Sequence, residues 1–314
     1  MSNTNGHEQR YRIKSVAHIT GLSTHALRKW EERYELIDPI RSANGYRTFS
    51  EEDIQLLLFI KTKLKDGEAI GRVAQAGSTA LRKAMQQTPF SLSLIPPPFH
   101  QDVQALIHAA RHHHPDRIQH TLDQWIKYLT LQEAMMKIIF PVLQLVGDLW
   151  HQGGISISGE HYVSQLVRQY LLTAVKQGTS GDKPQCIVAC VPGDYHEIAP
   201  LTAALCLQNL AWHATFLGPN VSFEILKTAL RRKQPQLMIL SCMLEPAQDI
   251  VCSWIEYLTE HIQPHCSIAV GGAGLSSYAT IFNQHDIRYL HTIQDINLFT
   301  PNTRIISHTG LNAV

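Results

Sequence analysis

The spacing of apolar residues changes three times along the chain, and each change marks a separate part. Over residues 10–83 the pattern is of short helices broken by tight turns, with Val16, Ile19, Leu22, Ala26, Leu27 and Trp30 forming one apolar set. A polar hairpin is predicted around Ser42-Ala43-Asn44-Gly45-Tyr46, because Asn-Gly readily takes the positive φ angles of a tight turn. Residues 88–98 hold four prolines in eleven positions, which no helix sustains, so a linker is expected that is stiff and extended at Pro96-Pro97-Pro98. From Gln101 to about Lys176 apolar residues recur every three or four positions, predicting four amphipathic helices near 101–113, 115–129, 131–151 and 159–177 that pack as a bundle. Gly153-Gly154 separates the last two. Beyond Gly178-Thr179-Ser180-Gly181-Asp182, short apolar runs alternate with helical patterns: Cys186–Val191, His213–Leu217, Leu237–Leu240, Ser267–Val270 and Ile287–Leu290. That alternation predicts a doubly wound, Rossmann-like α/β domain with a parallel sheet covered on both faces, followed by a frayed tail after about Thr300. The expected division is 1–83, a linker at 84–98, a bundle at 99–178 and an α/β domain at 183–314, a multidomain α plus α/β architecture.

Composition supports globular parts: 44% of the 314 residues are hydrophobic and 17% charged, too apolar for a largely disordered chain. No uncharged apolar run is long enough to span a bilayer, and Met1–Glu8 lack the basic-then-apolar order of a signal peptide, so a cytoplasmic protein without a membrane partner is expected. The net charge of +1 is an average over unlike halves. In residues 1–83 Lys and Arg outnumber Asp and Glu 14 to 10, whereas in 84–314 they are outnumbered 16 to 13. All six cysteines lie between 186 and 266 with no C-x-x-C pair, which reads as reduced, buried thiols. Eighteen histidines are the compositional surplus that asks for ligands. Three of them, His112-His113-His114, point in different directions at a helix end and read as a solvated cluster. Trp125, Trp212 and Trp254 fit apolar faces and read as core.

Residues 13–34 contain a short helix, a turn at Gly21 and a second helix capped by Ser23. Packing of the apolar set leaves Thr24, His25, Arg28, Lys29 and Arg33 outside, the layout of a helix-turn-helix with a basic recognition helix. Leu27-Arg28-x-Trp30-Glu31-x-Arg33-Tyr34, the wing Asn44-Gly45-Tyr46-Arg47 and Phe49-Ser50-Glu51-Glu52-Asp53 together resemble the MerR family of winged helix-turn-helix regulators over residues 11–75. The resemblance implies double-stranded operator DNA as partner. Arg28, Arg33, Tyr46 and Arg47 would then contact chiefly phosphates, and the start of the second helix would enter the major groove.

In the α/β part, His196 follows the first strand in Pro192-Gly193-Asp194-Tyr195-His196. Ligands of doubly wound domains sit beyond the carboxyl ends of strands, and a carboxylate two residues before a histidine can fix its tautomer. The stretch resembles the D-x-H-x-x-G motif of cobalamin-binding domains, with Ser241 and Gly271-Gly272 as further marks at later strand ends. By that resemblance His196 is the lower axial cobalt ligand, and Ser241, Gly271 and Gly272 line the slot of the nucleotide tail. Ala199 replaces the motif glycine, and Met243 stands where the family has leucine, which implies a narrower slot.

Trp150 ends one predicted bundle helix and Glu160-His161 open the next, so a flat indole, a carboxylate and His151 gather at one end of the bundle, suited to stack on and hydrogen-bond a nucleoside. The spacing Trp150-x9-Glu160-His161 resembles that of the CarH/LitR-type photoreceptor repressors, over most of the chain. This implies a non-enzymatic repressor that holds adenosylcobalamin in the dark as a homotetramer, with Trp150, Glu160 and His161 around the adenosyl group and carotenoid or light-protection genes as targets. Light would break the cobalt–carbon bond, and His151 would take the vacated position. Two other readings stand beside it: a cobalamin-independent MerR-type repressor switched by a protein partner, and a corrinoid methyl-carrier module.

Overall fold

The computed structural model describes residues 10–42, 44–88, 90–175 and 183–301. The predicted boundary at 178–182, the first nine residues and the tail from 302 lie outside them. The chain divides into two compact units, Met1–Leu166 and Val167–Val314. No single helix among the described residues is long and apolar enough to cross a membrane.

The first unit opens with β1 (Tyr11–Arg12), α1 (Ile13–Thr20), α2 (Thr24–Tyr34), β2 (Ile40–Arg41), β3 (Arg47–Phe49), α3 (Glu51–Lys65), α4 (Ile70–Ala74) and α5 (Ser78–Gln86). Gly21 ends α1 at φ +64, and the Ser23 side chain accepts from the Ala26 amide to start α2, so the predicted turn is made by the residues that favour it. The predicted hairpin is present: β3 pairs antiparallel with β2 and with β1, Arg41 facing Arg47, and Gly45 turns at φ +77. Ser50 and Asp53 form a capping box at the start of α3, and Arg82 of α5 reaches the buried Asp53 carboxylate at 2.7 Å. Val16, Leu27, Trp30, Phe49, Leu57 and Met85 lie in the core between these elements.

The proline-rich stretch of the predicted linker begins just after α5. α5 runs through Gln86 because Leu81 and Met85, four residues apart, both bury in that core. The far end of the linker is not simply extended: Pro97–Phe99 make a single 3-10 turn, a first-turn site where proline's missing N–H costs nothing, and Ile95 is buried. The bundle follows as α6 (His100–Arg111), α7 (Pro115–Tyr128), α8 (Leu131–Ala134) and α9 (Phe140–His151) joined by a π-helical turn at Met135–Ile139, and α10 (Ile157–Ala174). α10 begins in the first unit and ends in the second.

Within the first unit the winged domain is docked on the bundle. The Glu51 carboxylate accepts from the Ser158 amide at 2.5 Å and its hydroxyl at 2.9 Å, and Gln55 Nε2 donates to the Gly153 carbonyl at 3.4 Å. Gly153 has φ +75, and a Cβ there would lie 2.1 Å from the Gln55 oxygen, so α3 rests directly on this turn. Arg111 adds bonds to the carbonyls of Gly154 and Thr88 at 2.9 and 2.8 Å.

The second unit holds β4 (Gln185–Cys190), α11 (Ile198–Asn209), β5 (His213–Phe216), α12 (Phe223–Lys233), β6 (Leu237–Ser241), α13 (Gln248–His261), β7 (Ser267–Gly271), α14 (Ala279–Gln284) and β8 (Arg288–Leu290). All five strands pair in parallel in the order β5-β4-β6-β7-β8. β6 is buried along its whole length, and β4 at every position after Gln185, as strands covered on both faces must be. Chain order reverses direction between β4 and β6, which makes the crevice beyond their carboxyl ends the switch point where doubly wound domains take ligands.

Gly272, just past β7, has φ +105, and a Cβ would lie 2.2 Å from the Cys242 carbonyl oxygen; at Gly271 the nearest atoms are an ordinary 3.5 Å away. Gly272→Ala should therefore cost about 2–3 kcal/mol of stability and Gly271→Ala well under about 1, read as urea midpoints by circular dichroism. Equal midpoints for the two variants would refute the assigned turn.

Candidate functional site

The switch-point loop is organised by one carboxylate. Gly193 turns at φ +84 with its amide on Asn220 Oδ1 at 2.8 Å, which brings Asp194 under the ends of β4 and β6. Asp194 is 2% exposed. Its Oδ1 accepts from the His196 amide at 2.8 Å and from His196 Nδ1 at 2.9 Å. Its Oδ2 accepts from the amides of Met243, in a very short bond, and of Leu244 at 3.4 Å. Burial works to raise the carboxyl pKa, but the bonds from the His196 ring, the His196 amide and the Met243 amide outweigh it and hold the group down at about 2. Asp194 is thus an anion throughout the physiological range. In the neutral imidazole, donation from Nδ1 to this anion puts the lone pair on Nε2, on a side chain that is half exposed.

Two thiols flank this pair. Burial, reinforced by the Asp194 charge, pushes Cys190 and Cys242 up to about 12, so both are protonated thiols in the metal-free chain. Ser241 is buried at the end of β6, as the sequence predicts, and Gly272 packs against the Cys242 backbone. Gly274 repeats the arrangement against Leu244, so the turn after β7 packs backbone to backbone on the segment after β6. Ala199 sits in the first turn of α11, where alanine is as suitable as glycine, and the Met243 side chain is 38% exposed. Beside His196, the buried Glu197 is ion-paired to Arg168 of α10, a contact without a sequence signal because 29 residues separate the partners.

In the first unit, Trp150 and His151 occupy the last turn of α9 with their rings 4.5 Å apart, and Glu160 and His161 occupy the first turn of α10, joined at 2.5 Å. His151 and His161 are exposed. Trp150 is not: its indole packs against the core of the winged domain, and its Nε1 is buried without a hydrogen-bond partner among the described residues. An unsatisfied buried donor of this kind costs about 1–3 kcal/mol. His113, one of the three consecutive histidines, has φ +56 and places its ring nitrogens at 3.2 Å from the Ser156 hydroxyl and 2.9 Å from that of Ser158. Among the described residues no group of three His, Cys, Asp or Glu side chains is gathered to hold a metal ion. Trp125, Trp212 and Trp254 are buried, as predicted.

On the winged domain, His25, Arg28, Lys29 and Arg33 are exposed along α2, with Thr24 half-buried at its start and Tyr46 60% exposed at the wing. Arg47, also expected to contact phosphate, makes intramolecular ion pairs in this structure. Its guanidinium is held by Glu31 at 2.7 Å and by Glu32 at 3.4 Å, half-buried, which fastens the wing to α2. Arg12, whose guanidinium lies over the Tyr46 ring at 5.6 Å, and the exposed Arg41 add positive charge at the wing that the motif did not single out.

Comparison with known proteins agrees with this layout. Residues 11–76 match the MerR HTH family regulatory protein model, and residues 103–172 match the B12 binding domain model. The chain is 27% identical over 283 residues to the HTH-type transcriptional repressor CarH of Myxococcus xanthus, covering 87% of this chain and 92% of that one. It is 24% identical to the repressor CarA of the same organism, over 91% and 94%. Among solved structures, the monomethylamine corrinoid protein of Methanosarcina barkeri aligns with 63% of this chain and 94% of its own at TM-score 0.49 and 14% identity. The chain is thus built from a MerR-type helix-turn-helix module followed by a B12-binding domain.

Proposed function

We propose that the protein is a transcriptional repressor that binds operator DNA through α2 and its wing and is governed by adenosylcobalamin held in the second unit. The observation that carries this reading is the Asp194–His196 pair, whose geometry at the switch point suits a single axial ligand to a metal that brings its own macrocycle. The Nε1 of Trp150, without a partner among the described residues, suits a ligand acceptor. Bound adenosylcobalamin would supply a cobalt–carbon bond that visible light breaks. In this reading His196 would supply an imidazole ligand through Nε2, with Asp194 fixing its orientation. Trp150, Glu160 and His161 would hold the adenosyl group, and His151 would supply an imidazole ligand after its loss. Cofactor-driven assembly into a tetramer in the dark would let several weak DNA-binding modules act at high effective concentration, and light would dissolve it. Carotenoid or light-protection genes are the targets this reading assigns.

Size-exclusion chromatography with adenosylcobalamin in darkness should move the wild-type protein to a larger species that green light reverses. His196→Ala should show no such shift; assembly like wild type by that variant would remove the ligand role from His196.

DNA binding gives a second test, read as operator affinity across salt concentrations. Arg28→Ala and Arg33→Ala should each flatten the salt dependence by roughly one unit of slope, the effect of one lost phosphate contact. Glu31→Gln should reproduce part of the loss caused by Arg47→Ala, because the two residues fasten the wing together. Tighter DNA binding by Glu31→Gln would instead make Arg47 a phosphate contact that Glu31 merely restrains.

A further inference from the structure

Trp150 is claimed twice. The proposed function places it against the adenosyl group of the cofactor, and the structure seats it on the core of the winged domain. Around it the contact is built from independent parts: the Glu51 carboxylate on Ser158, the Gln55 side chain on Gly153, and a glycine turn that admits the α3 backbone only because it lacks a Cβ. Yet at its centre the indole Nε1 is buried with no acceptor among the described residues. A contact evolved only to hold two domains together has no need of a donor sealed without a partner, whereas a nucleoside, with ribose hydroxyls and ring nitrogens, offers acceptors that the winged domain does not.

We infer that seating of the winged domain on the Trp150 end of the bundle and recognition of the cofactor's nucleoside compete for this indole, so that cofactor loading undocks the DNA-binding domain. The inference rests on the cobalamin reading above. In the docked form the nucleoside-facing residue is occupied, and the apparent affinity for cofactor is lowered by the fraction of molecules that are docked. By linkage, the cofactor weakens docking by the same factor that docking weakens the cofactor. Glu51, Gln55 and Ser158 then hold a latch, and none of them is a cofactor ligand in this scheme.

The test is a dark titration of the full-length protein with adenosylcobalamin, followed by its absorption spectrum, for wild type, the double variant Glu51→Ala/Gln55→Ala and, from the other side of the contact, Ser158→Ala. Circular dichroism confirms folding, and Ser158→Ala, which removes one hydroxyl, carries the test if the double variant does not fold. Removing the latch should tighten cofactor binding by about three- to tenfold in the double variant, and in the same direction by less in Ser158→Ala. Unchanged affinity in both variants, with wild type binding normally, would overturn the competition and leave the cobalamin reading standing. Weaker binding would also overturn it, since the winged domain would then be a buttress that holds the indole in place. Absence of binding by every protein would overturn the cobalamin reading and the competition together.

Discussion

The second unit depends on a buried anion. Asp194 takes four N–H donors, two from His196 and two from the segment after β6, and so ties together the two loops on either side of the switch point. A neutral carboxyl there would leave amides without a strong acceptor, and a displaced one would release the imidazole from its tautomer. Charge, position and ring orientation follow from a single side chain whose acidity the surrounding donors maintain against burial. The thiols beside it, Cys190 and Cys242, are raised chiefly by burial, and the anion that steadies the histidine adds to that shift.

The first unit solves a different electrostatic problem. Its basic helix must remain available to an anionic partner while acidic residues share the same turns. Pairing Arg47 with Glu31 and Glu32, and Arg82 with Asp53, uses those acids internally to fasten the wing and the third helix. The exposed cations of α2, Arg28, Lys29 and Arg33, are left facing outward. Acidic and basic residues therefore divide by task, which is why the small positive excess in this part understates its character.

Local signals carried most of what could be read in advance. The strands, the Asn44-Gly45 turn, the Gly21 turn and the Asp194-x-His196 loop depend on residues a few positions apart, where periodicity and turn chemistry act directly. Ser241 and Gly272 were legible because strand ends are. What escaped is long-range: Glu51 meeting Ser158 across 107 positions, Arg168 meeting Glu197, and the seat of Trp150 on the winged core. Proximity in sequence placed Trp150 correctly at the end of α9 beside His151, but only tertiary packing decides which neighbour the indole meets. Arg47 lies between these cases, since Glu31, its partner, stands in the same motif, but only the fold shows the two meeting.

The π-helical turn at Met135–Ile139 bears on that neighbour. There Phe140 donates to the Met135 carbonyl, five residues back rather than four, and Pro141, which has no N–H, follows within the next turn. One inserted residue rotates everything after it by about 100° around the helix axis. The apolar stripe of α8 is therefore out of phase with that of α9, and a helical wheel drawn continuously through both would put the indole on the wrong side. The direction in which Trp150 points is an angular offset set three turns upstream, so the helix works as a fixed spindle with its working face clocked at the π turn.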